Sequence, residues 1–240
     1  MTDLHTHILP GMDDGARNAD ESLAMLRMER DQGVTAVVLT PHFYWWRESV
    51  QHFLERREHA FQVLNERLQE LPEEEQAGLP RMIPGAEVAW HPGLCECGDL
   101  TALCIGDTKN MLLELPFVPW NGQLFNYIYD LIGQTGINPV IAHLERYMNL
   151  QKPKLLAAVF ELGVPVQISA EVLTHVFARG KALNLLKKQR AHILASDCHN
   201  CTDRPPNIGE GMRVVRHKLG NRCAQAMEQN ANELAGLTAE

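Results

Sequence analysis

No window of this 240-residue chain holds the roughly 20 predominantly apolar residues that a membrane-spanning helix needs. The N-terminus also lacks a basic stretch followed by an apolar run, so no secretory leader is expected and the chain reads as cytoplasmic. No Lys/Arg-rich stripe interrupts the net charge of −8, which disfavours nucleic-acid binding through phosphate neutralisation. Linkers, repeats and low-complexity segments are missing too, so residues 1–240 are expected to form a single domain. Cysteine is not scarce, but without a leader the 6 cysteines read as reduced thiols rather than a disulfide framework. What remains is ordinary globular composition, 45% hydrophobic and 22% charged, with the oligomeric state left open.

The most informative stretch is the first. Asp3-Leu4-His5-Thr6-His7 reads as a strand in which His5 and His7, two residues apart, present imidazoles to the same face. Imidazole suits zinc, manganese or iron, and the nearby carboxylate Asp14 suits harder ions, so a mixed set of this kind fits a hydrolytic divalent-metal site. Two histidines in a terminal strand can also arise by chance. The decision rests on whether the rest of the chain supplies ligands at equivalent places.

It does so strand after strand. Asn18 or Asp20 caps a helix running to Gln32, with Gly33 as its stop, and the apolar run Thr35 to Leu39 leads to Thr40-Pro41-His42. Ser49 opens a long helix with Val50, Phe53, Leu54, Phe61, Leu64 and Leu68 at helical spacing. After an acidic loop from Pro72 to Pro80, a strand from Arg81 ends at Glu87. The segment from Val88 to Asp107 is the least readable, consistent with a helical turn and a small hairpin. A strand from Asn110 ends at Glu114, and a helix from about Leu124 to Ile132 follows Asn121. Pro139 to Ala142 then delivers His143, and Pro153 starts a helix at its favoured first position. Val164 to Ser169 is a sixth strand, a helix spans about Arg179 to Lys188, and His192 to Ala195 is a seventh strand ending at Asp197 and His199. From Gly209 to Leu234 the chain is expected to be helical with a break near Gly220.

Strands alternating with helices imply parallel pairing with right-handed crossovers, and closure gives an α/β (β/α)7 barrel-like domain. Chemistry in such folds sits at the C-terminal ends of the strands. His5, His7, His42, Glu87, Glu114, His143, Asp197 and His199 all fall at those ends.

The motifs Asp3-Leu4-His5-Thr6-His7, Asp13-Asp14-Gly15, Thr40-Pro41-His42, Gly85-Ala86-Glu87, His143-Leu144-Glu145-Arg146-Tyr147 and Ser196-Asp197-Cys198-His199-Asn200 resemble the PHP (polymerase and histidinol phosphatase) superfamily. Within it they are most similar to the CpsB/CapC-type manganese-dependent protein-tyrosine phosphatases of bacterial capsule and exopolysaccharide operons. The resemblance implies a distorted TIM-like barrel with up to three Mn2+ ions, Fe or Zn being possible substitutes. It implies that His5, His7, Glu87 and Asp197 hold one ion, that Glu87 bridges to a second on Glu114 and His143, and that Asp14, His42 and His199 hold a third. Arg146 and Arg204 match family arginines that grip phosphate, and the implied substrate is a phosphotyrosine protein, in particular a bacterial tyrosine kinase. The sequence departs from the pattern at Phe43-Tyr44-Trp45-Trp46 and at Val88-Ala89-Trp90, next to the metal motifs, so substrate preference is less firmly implied than metal binding.

Other readings compete at particular residues. The alternative role for Arg146 is as a salt-bridge partner of Glu145 or another nearby acid. Tyr44-Trp45-Trp46 can line the site mouth and stack on a tyrosyl ring, or pack against the long helix or a second subunit. Cys198 and Arg204 have the Cys-x5-Arg spacing of thiol-dependent tyrosine phosphatases, but Asp203 would repel phosphate and Pro205-Pro206 lack the N–H groups of a phosphate loop. At the level of function, a small-molecule phosphatase acting on histidinol phosphate or a sugar phosphate, and a catalytically silent binding module, are the alternatives.

Overall fold

The computed structural model describes residues 1–237; residues 238–240, the end of the expected domain, lie outside the described residues. In chain order the regular elements are β1 (Thr2–Thr6), α1 (Ala19–Asp31), β2 (Ala36–Leu39), β3 (His42–Phe43) and α2 (Val50–Gln69). There follow α3 (Glu73–Gly78), β4 (Arg81–Pro84), β5 (Glu87–Ala89), β6 (Asn110–Glu114), α4 (Gly122–Thr135) and β7 (Asn138–Ile141). The last third holds α5 (Pro153–Glu161), β8 (Gln167–Ser169), α6 (Glu171–Thr174), α7 (Arg179–Lys187), β9 (Ile193–Ala195), α8 (Ile208–Leu219) and α9 (Asn221–Leu234).

Helix boundaries follow the capping residues. Asn18 accepts the Glu21 N–H at the start of α1, Ser49 accepts that of His52 before α2, and Asn121 that of Gln123 before α4. The left-handed Gly136 ends α4, Pro153 opens α5, and Gly220, at φ 88°, turns the chain from α8 into α9.

Among the described residues all strand pairs are parallel, and they form three sheets, β1-β2-β4, β3-β5-β6-β7 and β8-β9. Single parallel bridges link Thr6 with Cys198 and Ile141 with Val166, so pairing does not run as one closed sheet. The interruptions have local causes. Pro41 breaks the expected strand between β2 and β3, because it donates no N–H to a ladder. The strand expected from Arg81 to Glu87 splits at Gly85, where an added Cβ would lie 2.9 Å from Val38 Cγ1 on the neighbouring strand. The residues of β2, β5 and β8 are all buried, as expected of parallel strands covered on both faces.

Three expectations need correction. The acidic loop after Pro72 contains the short helix α3, whose first turn of Glu73, Glu74 and Glu75 suits the positive end of a helix dipole. The segment after Ala89 folds into two short 3-10 turns, Leu94–Glu96 and Leu100–Leu103, and not into a hairpin. The sixth strand is shorter than expected, beginning at Gln167. Among the described residues, no helix is long and apolar enough to cross a membrane.

Candidate metal centre

Strand register brings the ligand-type residues together before any side chain is considered. His42 on β3 pairs directly with Glu87 on β5, and Ala89 pairs with Glu114 on β6. The backbone of the His5-His7 strand is laced to the segment after β9, with His7 N–H donating to Cys198 O at 2.9 Å and Asp197 N–H to His5 O at 2.9 Å. His5 and His7 therefore alternate against Asp197 and His199. Two of these groups sit on left-handed backbone, His143 at φ 29° and Asp197 at φ 55°. Few residues other than glycine adopt that region, aspartate and histidine more readily than most, and such positions concentrate at functional sites.

Glu87 lies at the middle. Its Oε2 is 3.1 Å from His5 Nε2, 3.3 Å from His7 Nε2 and 3.0 Å from His42 Nδ1, while its Oε1 is 2.8 Å from His143 Nε2. Glu114 Oε1 approaches His143 Nε2 at 3.6 Å. Asp14 Oδ1 is 3.6 Å from His42 Nε2 and 3.5 Å from His199 Nε2. Asp197 Oδ1 is 3.4 Å from His5 Nε2. Every expected ligand therefore falls within one cluster. Three subsets have donor atoms close enough to share an ion: His7, Asp14, His42 and His199; His5, His7 and Glu87; and His42, Glu87 and Glu114.

The donor set fits cations on physical grounds. His7 Nδ1 donates to Asp13 Oδ2 at 2.7 Å, and His5 Nδ1 to Gln167 Oε1 at 3.2 Å. Each ring thus donates from Nδ1 and turns Nε2 inward, where it takes a second proton in the metal-free protein or offers its lone pair to an ion. Those two Nε2 atoms face each other at 3.1 Å. Two lone pairs at that distance repel unless a proton or a metal ion lies between them and Glu87. His42 Nδ1 and His199 Nε2 are buried without hydrogen-bond partners, as lone pairs reserved for a cation would be.

In the metal-free protein, electrostatics place protons on His5 and His7 where a cation would otherwise sit. Burial opposes charge on Glu87, but the imidazoles of His5, His143 and His7 outweigh it and hold the carboxyl well below the usual range. Burial likewise disfavours a charged His7, yet Asp13 and Glu87 raise it well above a free imidazole. Burial, then the charge of Glu87, pushes Glu114 up to about 8. Burial, then His7, lowers His199 to about 3, so it stays a neutral ligand at physiological pH.

Asp13 and Gln167 carry roles that sequence reasoning missed. Asp13 accepts from His7 Nδ1, Gly15 N–H and His42 N–H, tying the turn to both histidine-bearing strands. Burial alone would raise its carboxyl, but His7 and those two N–H groups hold it below the carboxylate range. Gln167 Oε1 meets His5 Nδ1 and accepts the His143 N–H at 2.9 Å. The Asp-Asp-Gly turn was a usable signal for Asp13, because Gly15 lies so close to His7 that an added Cβ would be 2.2 Å from His7 O. Nothing in the sequence marked Gln167.

Arg146 and Arg204 both pair with Asp197, the latter at 2.8 Å, and not with Glu145. Cys198 is fully buried, its thiol pushed well up by burial and by Glu29 and Asp3, and it lies 3.7 Å from Glu29 Oε1. A thiol so placed is a poor nucleophile. The aromatic run divides: Tyr44 stacks on His42 with ring centres 5.3 Å apart, whereas Trp45 packs edge-on to His91 and against the core. Beside Asp14 and His42 opens a cavity of about 490 Å³, lined also by Tyr44 and Arg47.

Fold and donor set define the class: a parallel α/β protein with a candidate centre for several divalent cations at its strand ends. The chain belongs to the CpsB/CapC family of capsular polysaccharide synthesis, whose family model matches residues 1–235. It is 33% identical to tyrosine-protein phosphatase YwqE of Bacillus subtilis over 98% of this chain and 91% of the relative. It is 26% identical to tyrosine-protein phosphatase CpsB of Streptococcus pneumoniae over 95% of this chain and 94% of that one. Among solved structures it is similar, with a TM-score of 0.81 and 28% identity, to a chain from the crystal structures of YwqE and CpsB from these organisms, described as unique metal-dependent tyrosine phosphatases. That match covers 100% of this chain and 96% of the other.

Proposed function

We propose that this chain is a metal-dependent protein-tyrosine phosphatase of capsule or exopolysaccharide synthesis, acting on a bacterial tyrosine kinase in the cytoplasm. The carrying observation is the pair of Nε2 atoms of His5 and His7, facing each other at 3.1 Å over the buried Glu87 carboxylate. His5, His7, Glu87 and Asp197 would hold one ion, Glu87, Glu114 and His143 a second, and Asp14, His42 and His199 a third, with Mn2+ the expected metal and Fe or Zn its substitutes. We read the three sheets and their two bridges as a distorted (β/α)7 barrel forming one domain.

Bound divalent cations supply Lewis acidity toward a phosphoryl oxygen and lower the pKa of water toward about 7. The chain supplies the rest. Asp13 and Gln167 fix the tautomers of His7 and His5, so that both Nε2 lone pairs stay aimed at the centre. Arg146 and Arg204, about a third exposed at 33% and 30%, both pair with the buried Asp197 and can fork onto the equatorial oxygens of a phosphate. A phenol with a pKa of about 10 leaves with less proton donation than an alcohol needs.

Purified protein stripped by chelation and reloaded with Mn2+ tests the proposal on phosphotyrosine peptides, with histidinol phosphate as competitor substrate. Activity that needs Mn2+ and prefers the peptide is expected. A preference for histidinol phosphate would overturn the substrate assignment.

A further inference from the structure

The turn that follows Glu114 is held unusually firmly for a surface loop. Tyr147 Oη donates to Leu115 O at 2.7 Å, Trp120 Nε1 to Pro116 O at 2.9 Å, Gln151 Nε2 to Val118 O at 2.9 Å, and Trp120 N–H to Gln151 Oε1 at 2.8 Å. Tyr147 and Gln151 are themselves buried. On this rigid backbone one large apolar ring points outward. Phe117 is 49% exposed, and Val118 beside it 57%.

The inner side of Phe117 is anchored against the candidate centre. Its ring lies 5.9 Å from that of His143, inclined by 24°, and 4.9 Å from that of Tyr147. The outer side is free. On the opposite side of the centre the Tyr44 ring stacks on His42 and lies under the Arg47 guanidinium at 4.6 Å, and Trp45 packs on His91 at 4.8 Å; Trp46, 50% exposed, touches Tyr44 at 5.2 Å, whereas Phe117 stacks on a ligand histidine itself. Leaving a phenyl ring in water forfeits burial, whereas a second ring stacked on it recovers that burial and adds a quadrupole attraction. Because the loop is already fixed, little ordering is required on binding.

We propose that Phe117 is the shelf on which the aryl ring of a phosphotyrosine stacks while its phosphate enters the centre beside His143, making Phe117 a specificity-determining residue. This rests on the phosphatase reading above. The shelf acts on the ring and not on the phosphate, so it favours aryl over alkyl phosphomonoesters.

The test compares wild type, Phe117→Ala and Phe117→Trp, each loaded with Mn2+. Calorimetry measures binding of phenylphosphonate and methylphosphonate, and kcat/KM is measured on a phosphotyrosine peptide. Phe117→Ala should weaken phenylphosphonate about tenfold and raise KM for the peptide comparably, while methylphosphonate affinity stays within about twofold; Phe117→Trp should restore the aryl preference. Equal losses for both phosphonates, or no loss for either, would overturn the shelf. A wild-type protein that prefers phenylphosphonate alongside an Ala variant that keeps the preference defeats the shelf alone. A wild type that binds neither phosphonate and hydrolyses no phosphomonoester defeats the phosphatase reading, and the shelf with it.

Discussion

Replacing Asp13 with alanine should damage metal binding without removing any proposed ligand. Asp13 Oδ2 accepts from His7 Nδ1 at 2.7 Å and from His42 N–H at 2.9 Å, and Oδ1 accepts from Gly15 N–H at 2.9 Å. Once the carboxylate is gone, the His7 ring can rotate or take the other tautomer, which turns a proton toward Glu87 in place of a lone pair. Supporting partners of this kind typically change metal affinity or activity by about 10- to 100-fold. The two backbone N–H groups lose their acceptor as well, at ~1–3 kcal/mol each if they stay dry. Water entering the vacated volume satisfies part of that loss, leaving about 2 kcal/mol, or about 4–8 °C in Tm for a chain of this size. Chelator competition with Mn2+ measures the first effect, and thermal melts of metal-free protein the second. Asp13→Asn keeps the shape and one acceptor oxygen, so it should fall between wild type and alanine. An alanine variant that binds Mn2+ within about twofold of wild type, with unchanged kcat/KM, would refute the tautomer-fixing role.

Three further outcomes are expected. Gly15→Ala places a Cβ 2.5 Å from His7 Cβ, so the turn must shift, and Mn2+ affinity and activity should both fall even though no polar group is lost. In metal-free protein the raised Glu114, at about 8 against an ordinary 4.5, means that the folded state holds a proton that the unfolded state releases, so stability declines as pH rises from 4.5 toward 8. Melts of chelated wild type and Glu114→Gln at pH 5 and pH 8 check this; the variant should show the smaller decline, and equal declines would contradict it. Cys198→Ala should retain phosphotyrosine hydrolysis, and an alkylating reagent should leave the wild type active, because the thiol is buried and its ionisation suppressed.

The strand ends were legible because ligand chemistry and strand periodicity point to the same residues: His5, His7, His42, Glu87, Glu114, His143, Asp197 and His199 are polar groups at the close of apolar runs, where a core would not place them. Asp14 was legible as a carboxylate close to His5 and His7, but its place on a third ion with His42 and His199 came only through the resemblance. Gln167 stayed hidden because a glutamine inside a strand has no pattern of its own, and its role exists only once β8 lies beside His5 and His143. The break at Gly85 depends on how closely Val38 approaches, a distance that no local propensity contains. Phe117, in a Pro-Phe-Val-Pro-Trp stretch, reads as one more apolar residue; its exposure follows from the bonds of Tyr147 and Gln151 to the loop around it. Arg146 and Arg204 were recognised by motif, but their shared partner Asp197 was not, since it comes from a different strand end than Arg146.

Anomalous diffraction at the manganese edge from crystals loaded with Mn2+ tests the assigned centre most directly. Peaks contacting His5, His7, Glu87 and Asp197, then Glu114 and His143, then Asp14, His42 and His199 are the predicted result. Phosphotyrosine hydrolysis by a crystal-competent protein that shows no peak against His5 and His7, or only peaks away from this cluster, would contradict it.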